Sequence, residues 1–322
     1  MKVSILVPIY GVEKFIERCA ISLFEQTYED LEYIFVDDCS PDRSIEILES
    51  VMERYPRRIG QITIIHHEHN DGLGSARLTG LQNATGYAVM FVDSDDYLHL
   101  DAVRLLTNKM AETNADIIDG VIQRVYTDGS CSNMPVFGGN KRNYLKLILC
   151  QNLVTHNLVG RLYRKDIFEE QNVFPQKGID YAEDYFVTSR LLLKSSRAYY
   201  YNEVIYYYYQ GNMDSYIHKH NLSKKNAKLL LTINAIVKRY YDINDEKKSY
   251  RTALQIGLLL AFSSGGEAKI PYEEMQTYCP YQPSGLLFRL CHYWLRKGGS
   301  WRLVRACYRM MRRIYCIALK YS

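Results

Sequence analysis

The sequence predicts an α/β fold: a mostly parallel sheet with helices on both faces, followed by a helical C-terminal extension. Over residues 3–123, short strands rich in Val, Ile and Leu alternate with helical segments. Strands that are almost continuously apolar are typical of parallel sheets buried on both sides. Polar and acidic residues also follow four successive strands directly, where a ligand crevice is expected at the carboxyl ends of parallel strands.

Each element is predicted from the spacing of its apolar residues. The first strand, 3–8, is an apolar run that ends at Pro8, and the first helix repeats apolar side chains such as Phe15, Cys19 and Leu23 at helical spacing. The same criteria predict further strands at 31–36, 61–66, 87–92 and 116–123, and helices at 12–26, 44–55, 74–84 and 102–113.

Beyond Arg124 the regular alternation ends. Glycine, serine and asparagine predict a loop over 127–143, and the tyrosine-rich segment 199–209 predicts one or two strands. Helices are predicted at 146–152, 181–194, 224–241, 249–263, 286–296 and 301–320.

The composition indicates a globular, intracellular protein. Apolar residues make up 47% of the 322 residues, enough for a sizeable core. The eight cysteines show neither CxxC pairs nor metal-ligand spacing, which favours free thiols in a reducing cytoplasm. The chain runs directly into a strand, so we expect no signal peptide. Its longest uncharged apolar stretch, 253–264, is shorter than the roughly 20 residues that span a bilayer.

The segment Asp93-Ser94-Asp95-Asp96 follows an apolar strand and places three carboxylates within four residues. These charges repel one another unless a cation lies among them, and oxygen ligands suit a hard divalent ion that also binds phosphates. The alternative is a polar turn that caps a helix. Polar signals at the ends of the other three strands, near Pro8, Asp37 and 70–77, favour a functional site.

Together these motifs resemble family 2 glycosyltransferases of the GT-A fold, of the kind that builds bacterial surface polysaccharides. The resemblance covers roughly residues 1–215 and is carried by Val3–Tyr10, Gln26-Thr27-Tyr28, Val36–Ser40, Ala76-Arg77, Asp93–Asp96, Leu162–Lys165 and Glu183-Asp184. The family usually has Asn, Gly and Asn where this chain has Gly11, Cys39 and Leu78. An aromatic residue is replaced near 159–161, which weakens any inference about the acceptor.

The resemblance implies inverting transfer of a sugar from a nucleoside diphosphate, with uridine the favoured base, to a hydroxyl of a glycan or lipid-linked glycan. It implies Mn²⁺ or Mg²⁺ held by Asp95, with Asp93 or His218 as further contacts. It also implies Asp184 as general base, because an inverting transfer needs a carboxylate to accept the hydroxyl proton. The implied substrate contacts are Pro8, Tyr10, Asp37, Asp38, Arg77, Asp93, Ser94 and Glu183.

Glu183 and Asp184 have a simpler alternative explanation, since acidic residues in the first turn of a helix are favoured by its dipole. Two other classes of protein must also be compared with the sequence. A nucleotidyltransferase should carry a Gly-rich phosphate loop with Lys or Arg after the first strand, and residues 11–14 do not form one. A membrane-associated nucleotide-sugar-binding protein without transfer activity would not need both Asp95 and Asp184.

The resemblance and the charge pattern together predict three regions. The first is a catalytic domain at 1–215, which has a nucleotide-sugar half at 1–123 and an acceptor half at 124–215. The second is a helical extension at 216–283, and the third is a basic tail at 284–322.

The tail contains nine Lys and Arg residues and no Asp or Glu. On a helical wheel of 301–320, Arg302, Arg305, Arg309, Arg312 and Arg313 form a stripe opposite an apolar face, which is typical of a helix lying in a membrane interface. This predicts a peripheral protein at the inner face of the membrane, bound to an anionic surface, with no nucleic-acid partner. The alternative is a helix packed on the body with a solvated basic face.

Overall fold

The computed structural model describes residues 1–135, 141–150, 156–212, 223–243, 247–280 and 282–320. The chain divides into two compact units. The first comprises Met1–Val136 and Asn157–Met213, and the second comprises Phe137–His156 and Asp214–Ser322.

The first unit is built on a sheet that contains nine strands among the described residues, in the order β3-β2-β1-β4-β8-β6-β9-β5, with β7 paired to β6. Strands β3, β2, β1 and β4 are parallel to one another, whereas β8 is antiparallel to both β4 and β6. The strands are β1 (Val3–Ile9), β2 (Leu31–Asp37), β3 (Ile62–His66), β4 (Ala88–Phe91), β5 (Tyr97–Leu98), β6 (Ile117–Val125), β7 (Cys131–Asn133), β8 (Arg161–Arg164) and β9 (Ala198–Tyr209).

Helices accompany the parallel half of this sheet. In the first unit they are α1 (Ile16–Phe24), α2 (Ser44–Glu53), α3 (Leu73–Asn83), α4 (Ala102–Thr113), α6 (Ile167–Glu170) and α7 (Glu183–Lys194). Every residue of β1 is buried, and α3 packs against β1 and β2. This packing places the side chains of α3 beside the carboxyl ends of the central strands.

The predicted fold class is confirmed, with local differences beyond residue 124. The predicted loop at 127–143 was wrong in part, because residues 131–133 form β7 and a helix starts at Lys141. Residues 136–140 of this prediction lie outside the described residues. Strand β7 is short and mostly exposed, so it shows no apolar alternation that would predict a strand. The predicted helix at 146–152 begins five residues earlier than expected, at Lys141.

The second unit is helical over its described residues. Its helices are α5 (Lys141–Leu149), α8 (Lys224–Ile243), α9 (Lys247–Glu267), α10 (Tyr272–Tyr278), α11 (Leu286–Arg296) and α12 (Trp301–Lys320). Helix α9 packs against all the others. The predicted tail helices at 286–296 and 301–320 are both confirmed. Among the described helices, none is both long and apolar enough to cross a bilayer.

The start of α3 packs closely against the segment before α7. A Cβ atom at Gly74 would collide with the backbone oxygen of Gln176 and would lie 2.7 Å from that of Ile179. Backbone oxygens cannot move aside as a flexible side chain can, so only glycine fits here without a shift.

We therefore expect Gly74→Ala to lower the free energy of unfolding by about 1–3 kcal/mol, because it overpacks this contact. Urea denaturation of the full chain measures the change. Gly60→Ala is the matched control, since its Cβ meets no atom within 4 Å, and it should change stability by no more than about 0.5 kcal/mol. Equal stability of the two variants would contradict the close contact.

Candidate active site

The acidic segment after β4 is fixed to β9 by its last carboxylate. Asp96 is fully buried and accepts hydrogen bonds from the Tyr206 hydroxyl at 2.7 Å and from the Tyr209 amide at 2.8 Å. The Tyr206 hydroxyl also accepts the Asp93 amide hydrogen at 3.1 Å. Asp96 therefore supports the site, and it does not cap α4, which is preceded by Asp101 at its N-cap.

Asp95 is held by two side chains from outside the acidic segment. Its Oδ2 accepts a hydrogen bond from Asn212 at 2.8 Å, and its backbone carbonyl accepts one from Arg18 at 2.8 Å. The Arg18 guanidinium lies between the rings of Tyr97 and Tyr209, at 4.6 and 4.0 Å from their centroids. Burial raises the pKa of the Asp95 carboxyl, and the nearby charge of Asp93 raises it further.

Arg77 joins three of the predicted site carboxylates. Its Nη1 donates to Glu183 Oε1 at 2.7 Å and to Asp184 Oδ1 at 3.1 Å, and its Nη2 donates to Asp93 Oδ1 at 2.8 Å. Burial by itself lowers the pKa of the guanidinium, but Asp93, Asp184 and Glu183 together hold this pKa well above its usual range. We call Arg77 and these three carboxylates the Arg77 cluster.

The two acidic residues at the start of α7 have different surroundings. Burial, together with the charge of Asp184, raises the pKa of Glu183 to about 8. Asp184 is partly exposed, and its Oδ1 also accepts the Leu158 amide hydrogen at 3.0 Å. Within the described part of the chain, its Oδ2 accepts no hydrogen bond. Asp184 thus keeps one carboxylate oxygen available for a proton.

The approach to α7 is tied to the start of α3. The Gly74 amide donates to Asp180 Oδ1 at 3.0 Å, and Lys177 forms an ion pair with Asp71 at 2.6 Å. Ala182, directly before α7, adopts a left-handed conformation with φ of 59°. These contacts fix the point at which α7 begins, and therefore where its acidic first turn lies.

The ends of β1 and β2 provide the remaining predicted residues. Pro8 is buried within β1, whereas the Tyr10 side chain that follows is 51% exposed. Asp37 accepts the Ser40 amide hydrogen at 2.8 Å, and its other oxygen lies 2.9 Å from His66 Nδ1. Tyr10 and Asp37 both lie at the carboxyl edge of the sheet, where a ligand could contact them.

Asp38 is committed to the protein itself. Its Oδ1 lies 2.7 Å from His67 Nδ1 and accepts the Asp71 amide hydrogen at 2.9 Å, while its Oδ2 accepts that of Gly72 at 2.8 Å. The carboxylate therefore ties the end of β2 to the loop before α3. Its role as a substrate contact stays a prediction.

Two departures from the family pattern fall at positions with left-handed backbone. Gly11 has φ of 66° and Cys39 has φ of 58°. Asn and Gly, which the family usually carries at these positions, are the residues that tolerate this conformation best. Gly11 satisfies the requirement as well as Asn does, whereas Cys39 carries a Cβ where glycine would be unstrained.

The donor set fits a divalent cation shared with a substrate. No group of three His, Cys, Asp or Glu residues converges to form a metal cage in the part of the chain that the structure describes. Asp95 is nevertheless a desolvated carboxylate beside Asp93, and a cation would favour its ionised form. Mg²⁺-like ions are commonly held by one or two carboxylates together with substrate phosphates and water. His218, the further predicted contact, lies outside the described residues.

The structure thus brings Arg77, Asp93, Glu183 and Asp184 into direct contact, with Ser94 buried beside them in the chain. Sequence reasoning missed Arg18, Tyr206 and Asn212, which hold the acidic segment. Tyr206 lies within a run of tyrosines that gave no reason to choose one of them. Leu158 contributes only its backbone amide, which no side-chain pattern could reveal.

This architecture, a parallel half-sheet with an acidic segment at the end of β4, is that of a GT-A enzyme. Residues 4–171 match the profile of Glycosyl transferase family 2, which is just over half of the sequence. The chain therefore belongs to Glycosyl transferase family 2. The resemblance inferred from the motifs is confirmed.

Curated relatives agree with this membership. The chain is 37% identical over 194 residues to the uncharacterized glycosyltransferase EpsJ of Bacillus subtilis, covering 56% of this chain and 53% of the relative. It is 33% identical over 183 residues to glycosyltransferase GlyA of Streptococcus pneumoniae, covering 52% of this chain and 25% of the relative. The chain thus spans about half, or less, of the length of these relatives.

Solved structures share the fold. The 1–349 fragment of S. aureus TarS in complex with UDP-GlcNAc superposes with a TM-score of 0.67 at 20% identity, covering 96% of this chain and 92% of that one. A mannosyltransferase from Pyrobaculum calidifontis, in complex with GDP-Man and Mn²⁺, gives a TM-score of 0.57 at 17% identity, covering 98% and 87%.

The raised pKa of Glu183 predicts a pH-dependent stability. Because the folded state holds this proton up to a pH of about 8, the contribution of Glu183 is fully present below its ordinary pKa of 4.5 and is lost as the pH rises through about 8. Glu183→Gln has no carboxyl group to titrate, so the variant does not lose this stability as the pH rises. We expect the variant to gain free energy of unfolding relative to the wild type between pH 5 and 8.5, by at most about 1.4 kcal/mol per pH unit.

Urea denaturation of the metal-free protein at several pH values tests this. Glu32→Gln is the matched control: although burial opposes it, hydrogen bonds from Lys2, Ser4 and Thr85 lower the pKa of Glu32 to about 2. Glu32 therefore stays ionised between pH 5 and 8.5 and does not make the free energy of unfolding depend on pH in this range. A pH-independent difference between Glu183→Gln and the wild type would contradict the shifted pKa.

Proposed function

We propose that this chain transfers a sugar, with inversion, from a nucleoside diphosphate, with UDP as the nucleotide, to a hydroxyl of a glycan or lipid-linked glycan in cell-surface polysaccharide synthesis. The observation that carries the proposal is the Arg77 cluster, which places the carboxylate of Asp184 beside the acidic segment at the end of β4. Family membership supports the reaction class. Relatives named poly(ribitol-phosphate) β-glucosyltransferase and β-N-acetylglucosaminyltransferase, and a similar fold solved with UDP-GlcNAc, support a UDP-sugar donor.

In this proposal Asp184 is the general base. Its Oδ2 accepts the proton of the acceptor hydroxyl while the hydroxyl oxygen forms a bond to the anomeric carbon. The bond between that carbon and the diphosphate oxygen breaks, and the diphosphate leaves with the bonding electron pair. Attack from the face opposite the leaving group inverts the anomeric configuration. Leu158 and Arg77 hold Oδ1, so that the free oxygen is kept in one orientation.

Asp95 and Asp93 would hold the divalent cation, Mn²⁺ or Mg²⁺. When bound, the cation supplies positive charge that stabilises the diphosphate leaving group. Asn212 and Arg18 keep the Asp95 carboxylate and backbone in place for this role. A similar fold solved with GDP-Man and Mn²⁺ supports the metal requirement.

The donor base would contact the ends of β1 and β2. The exposed ring of Tyr10 offers a stacking surface for a pyrimidine, and Pro8 and Asp37 form the neighbouring strand ends. Arg77, Asp38, Ser94 and Glu183 were expected to contact substrate as well. The hydrogen bonds of Arg77 and Asp38 favour supporting roles for these two residues.

The second unit would attach the protein to an anionic membrane surface through α11 and α12. Helix α12 packs inward through Val304, Tyr308 and Leu319, and Arg305 forms an ion pair with Glu267 at 2.7 Å. Its outward face is apolar, being formed by the exposed side chains of Leu303, Met310, Ile314 and Ile317. Helix α11 likewise exposes Leu286, Leu287, Leu290, Tyr293 and Trp294.

Exposed apolar side chains at helical spacing, flanked by Arg302, Arg309 and Arg313, are typical of helices that lie in a membrane interface. The same helix therefore packs on its own unit and keeps an apolar stripe exposed. An inner-membrane position would bring the chain to lipid-linked acceptors.

Two substitutions separate the base from the metal ligand. Asp184→Asn should reduce transfer by about 10³-fold or more and leave UDP binding in Mn²⁺ intact, because it removes proton acceptance, keeps the shape of the side chain and leaves Asp95 unchanged. Asp95→Asn should abolish transfer and also remove the Mn²⁺ dependence of UDP binding. Release of UDP from UDP-GlcNAc and UDP-glucose, and of GDP from GDP-mannose, measures transfer, and isothermal titration of UDP measures binding. Turnover close to wild type in either variant would contradict the role assigned to that residue.

The membrane proposal predicts a selective effect of charge on the exposed stripe. Ile314→Glu with Ile317→Glu should reduce binding to vesicles of anionic phospholipid by about tenfold or more, since it places charge where apolar area inserts. Both side chains are about 60% exposed, so folding should be unaffected.

Co-sedimentation with vesicles measures the binding. Ile243→Glu is the control, because Ile243 is an exposed isoleucine of the same unit that lies on α8, outside the two tail helices. Equal binding by the double variant and the wild type would contradict the membrane face.

A further inference from the structure

The Arg77 cluster joins motifs from three parts of the chain through one side chain. Arg77 belongs to α3, Asp93 follows β4, and Glu183 and Asp184 begin α7. The Arg77 side chain is only 1% exposed, and its two terminal nitrogens make three hydrogen bonds to these carboxylates. Charge-assisted bonds of this kind have fixed geometry and are among the stronger hydrogen bonds in proteins.

This arrangement leaves the arginine little capacity to bind a donor. Three of its five N–H groups donate to carboxylates, and Nε is buried with no hydrogen-bond partner among the described residues. Because the side chain is only 1% exposed, a diphosphate or a base could reach the remaining N–H groups only if the surrounding residues moved. The substrate contact implied for Arg77 by the family resemblance is therefore not the role that this geometry favours.

Arg77 holds the two catalytic carboxylates by one oxygen each. It binds Oδ1 of Asp93 and Oδ1 of Asp184, and the Oδ2 atoms of both residues accept no hydrogen bond within the described part of the chain. The fork of a guanidinium is planar, so it fixes the relative orientation of the groups it binds. Each carboxylate is thus left with one free oxygen in a defined direction.

Building on the function proposed above, we propose that Arg77 is a positioning residue: it locks the base Asp184 and the acidic-segment residue Asp93 into one unit and leaves Oδ2 of each free for chemistry. Binding of the donor at Asp93 and proton removal by Asp184 then occur at a fixed separation. A base displaced by a fraction of an ångström loses much of its rate advantage, because the reaction depends on near-attack geometry.

The role also has an electrostatic part. The guanidinium is the one cation in contact with the Asp184 carboxylate among the described residues, at 3.1 Å. Arg77→Lys keeps the charge and loses the planar fork, whereas Arg77→Met loses both. The two variants therefore separate orientation from charge.

Steady-state transfer and titration with UDP in Mn²⁺ test the proposal. We expect Arg77→Lys to lower kcat by about 10²-fold or more while the Kd for UDP changes by less than about threefold, because Asp95, the main proposed cation ligand, is held by Asn212 and Arg18 and not by Arg77. We expect kcat to be at least as low in Arg77→Met, which loses the charge as well as the fork. If Arg77→Met does not fold, the test rests on Arg77→Lys, in which kcat should fall while the Kd for UDP stays nearly constant.

Arg164→Lys is the matched control for the loss of an arginine fork. Arg164 also bonds several carboxylates of the same unit, at 2.7 Å to Glu170 and 3.2 Å to Asp116, but none of them is a site residue. It should keep wild-type kcat even if its thermal stability falls as far as that of Arg77→Lys.

Three results would overturn the inference: unchanged kcat in Arg77→Lys, a rise in the Kd for UDP that matches the loss of kcat, or an equal loss of kcat in Arg164→Lys. The second result would make Arg77 a donor contact. These outcomes are distinct from failure of the proposed function, which turnover close to wild type in Asp184→Asn would reveal.

Discussion

The site depends on one physical constraint, which is that carboxylates gathered in a desolvated place need a cation. Asp93, Glu183 and Asp184 come together beside a fully buried Asp96, and Arg77 is the positive charge that the protein places directly among the first three. Burying charges without a partner costs several kcal/mol each, so the arrangement is stable only as a set. Burial, together with the charge of Asp184, raises the pKa of Glu183, and the single guanidinium of Arg77 only partly offsets this. The elements that deliver these residues, β4, α3 and α7, are fixed for the same reason.

Much of the first unit could be predicted from the sequence because its periodicity is strong. The parallel strands β1 to β4 and the helices between them were located to within a few residues, since buried strands and amphipathic helices leave clear patterns. The antiparallel strand β8 and the two-residue β5 were not predicted. Strand β4 lies in an uncharged apolar run, whereas β8 has arginine at both ends and β5 is too short to show any pattern. At the site, the acidic motifs were recognisable by residue type. The Tyr206 and Asn212 contacts were not, because they depend on how distant segments pack rather than on spacing.

The second unit shows a different limit of sequence reasoning. The helical wheel of α12 correctly separated a basic stripe from an apolar one, but a wheel cannot say which stripe packs inward. In the structure the packed face is neither of the two stripes: it combines Val304 and Tyr308 with Arg305, whose charge is met by Glu267. The apolar stripe stays exposed instead. Packing and the proposed membrane association, treated as alternatives at the level of sequence, would therefore use different faces of one helix.

The link between Asp93 and Asp184 has a consequence for how such a chain can diversify. The two residues are separated by about ninety positions, and that intervening stretch includes residues 137–156, which belong to the other compact unit. Because a side chain from α3 bonds both residues, their separation is fixed locally and does not depend on the length of the segment 137–156. In the proposed function, insertions or exchanges in that segment would leave the proposed base aligned with the acidic segment. The proposal thus allows one part of the chain to vary in length and sequence while the distance between two reacting groups stays the same.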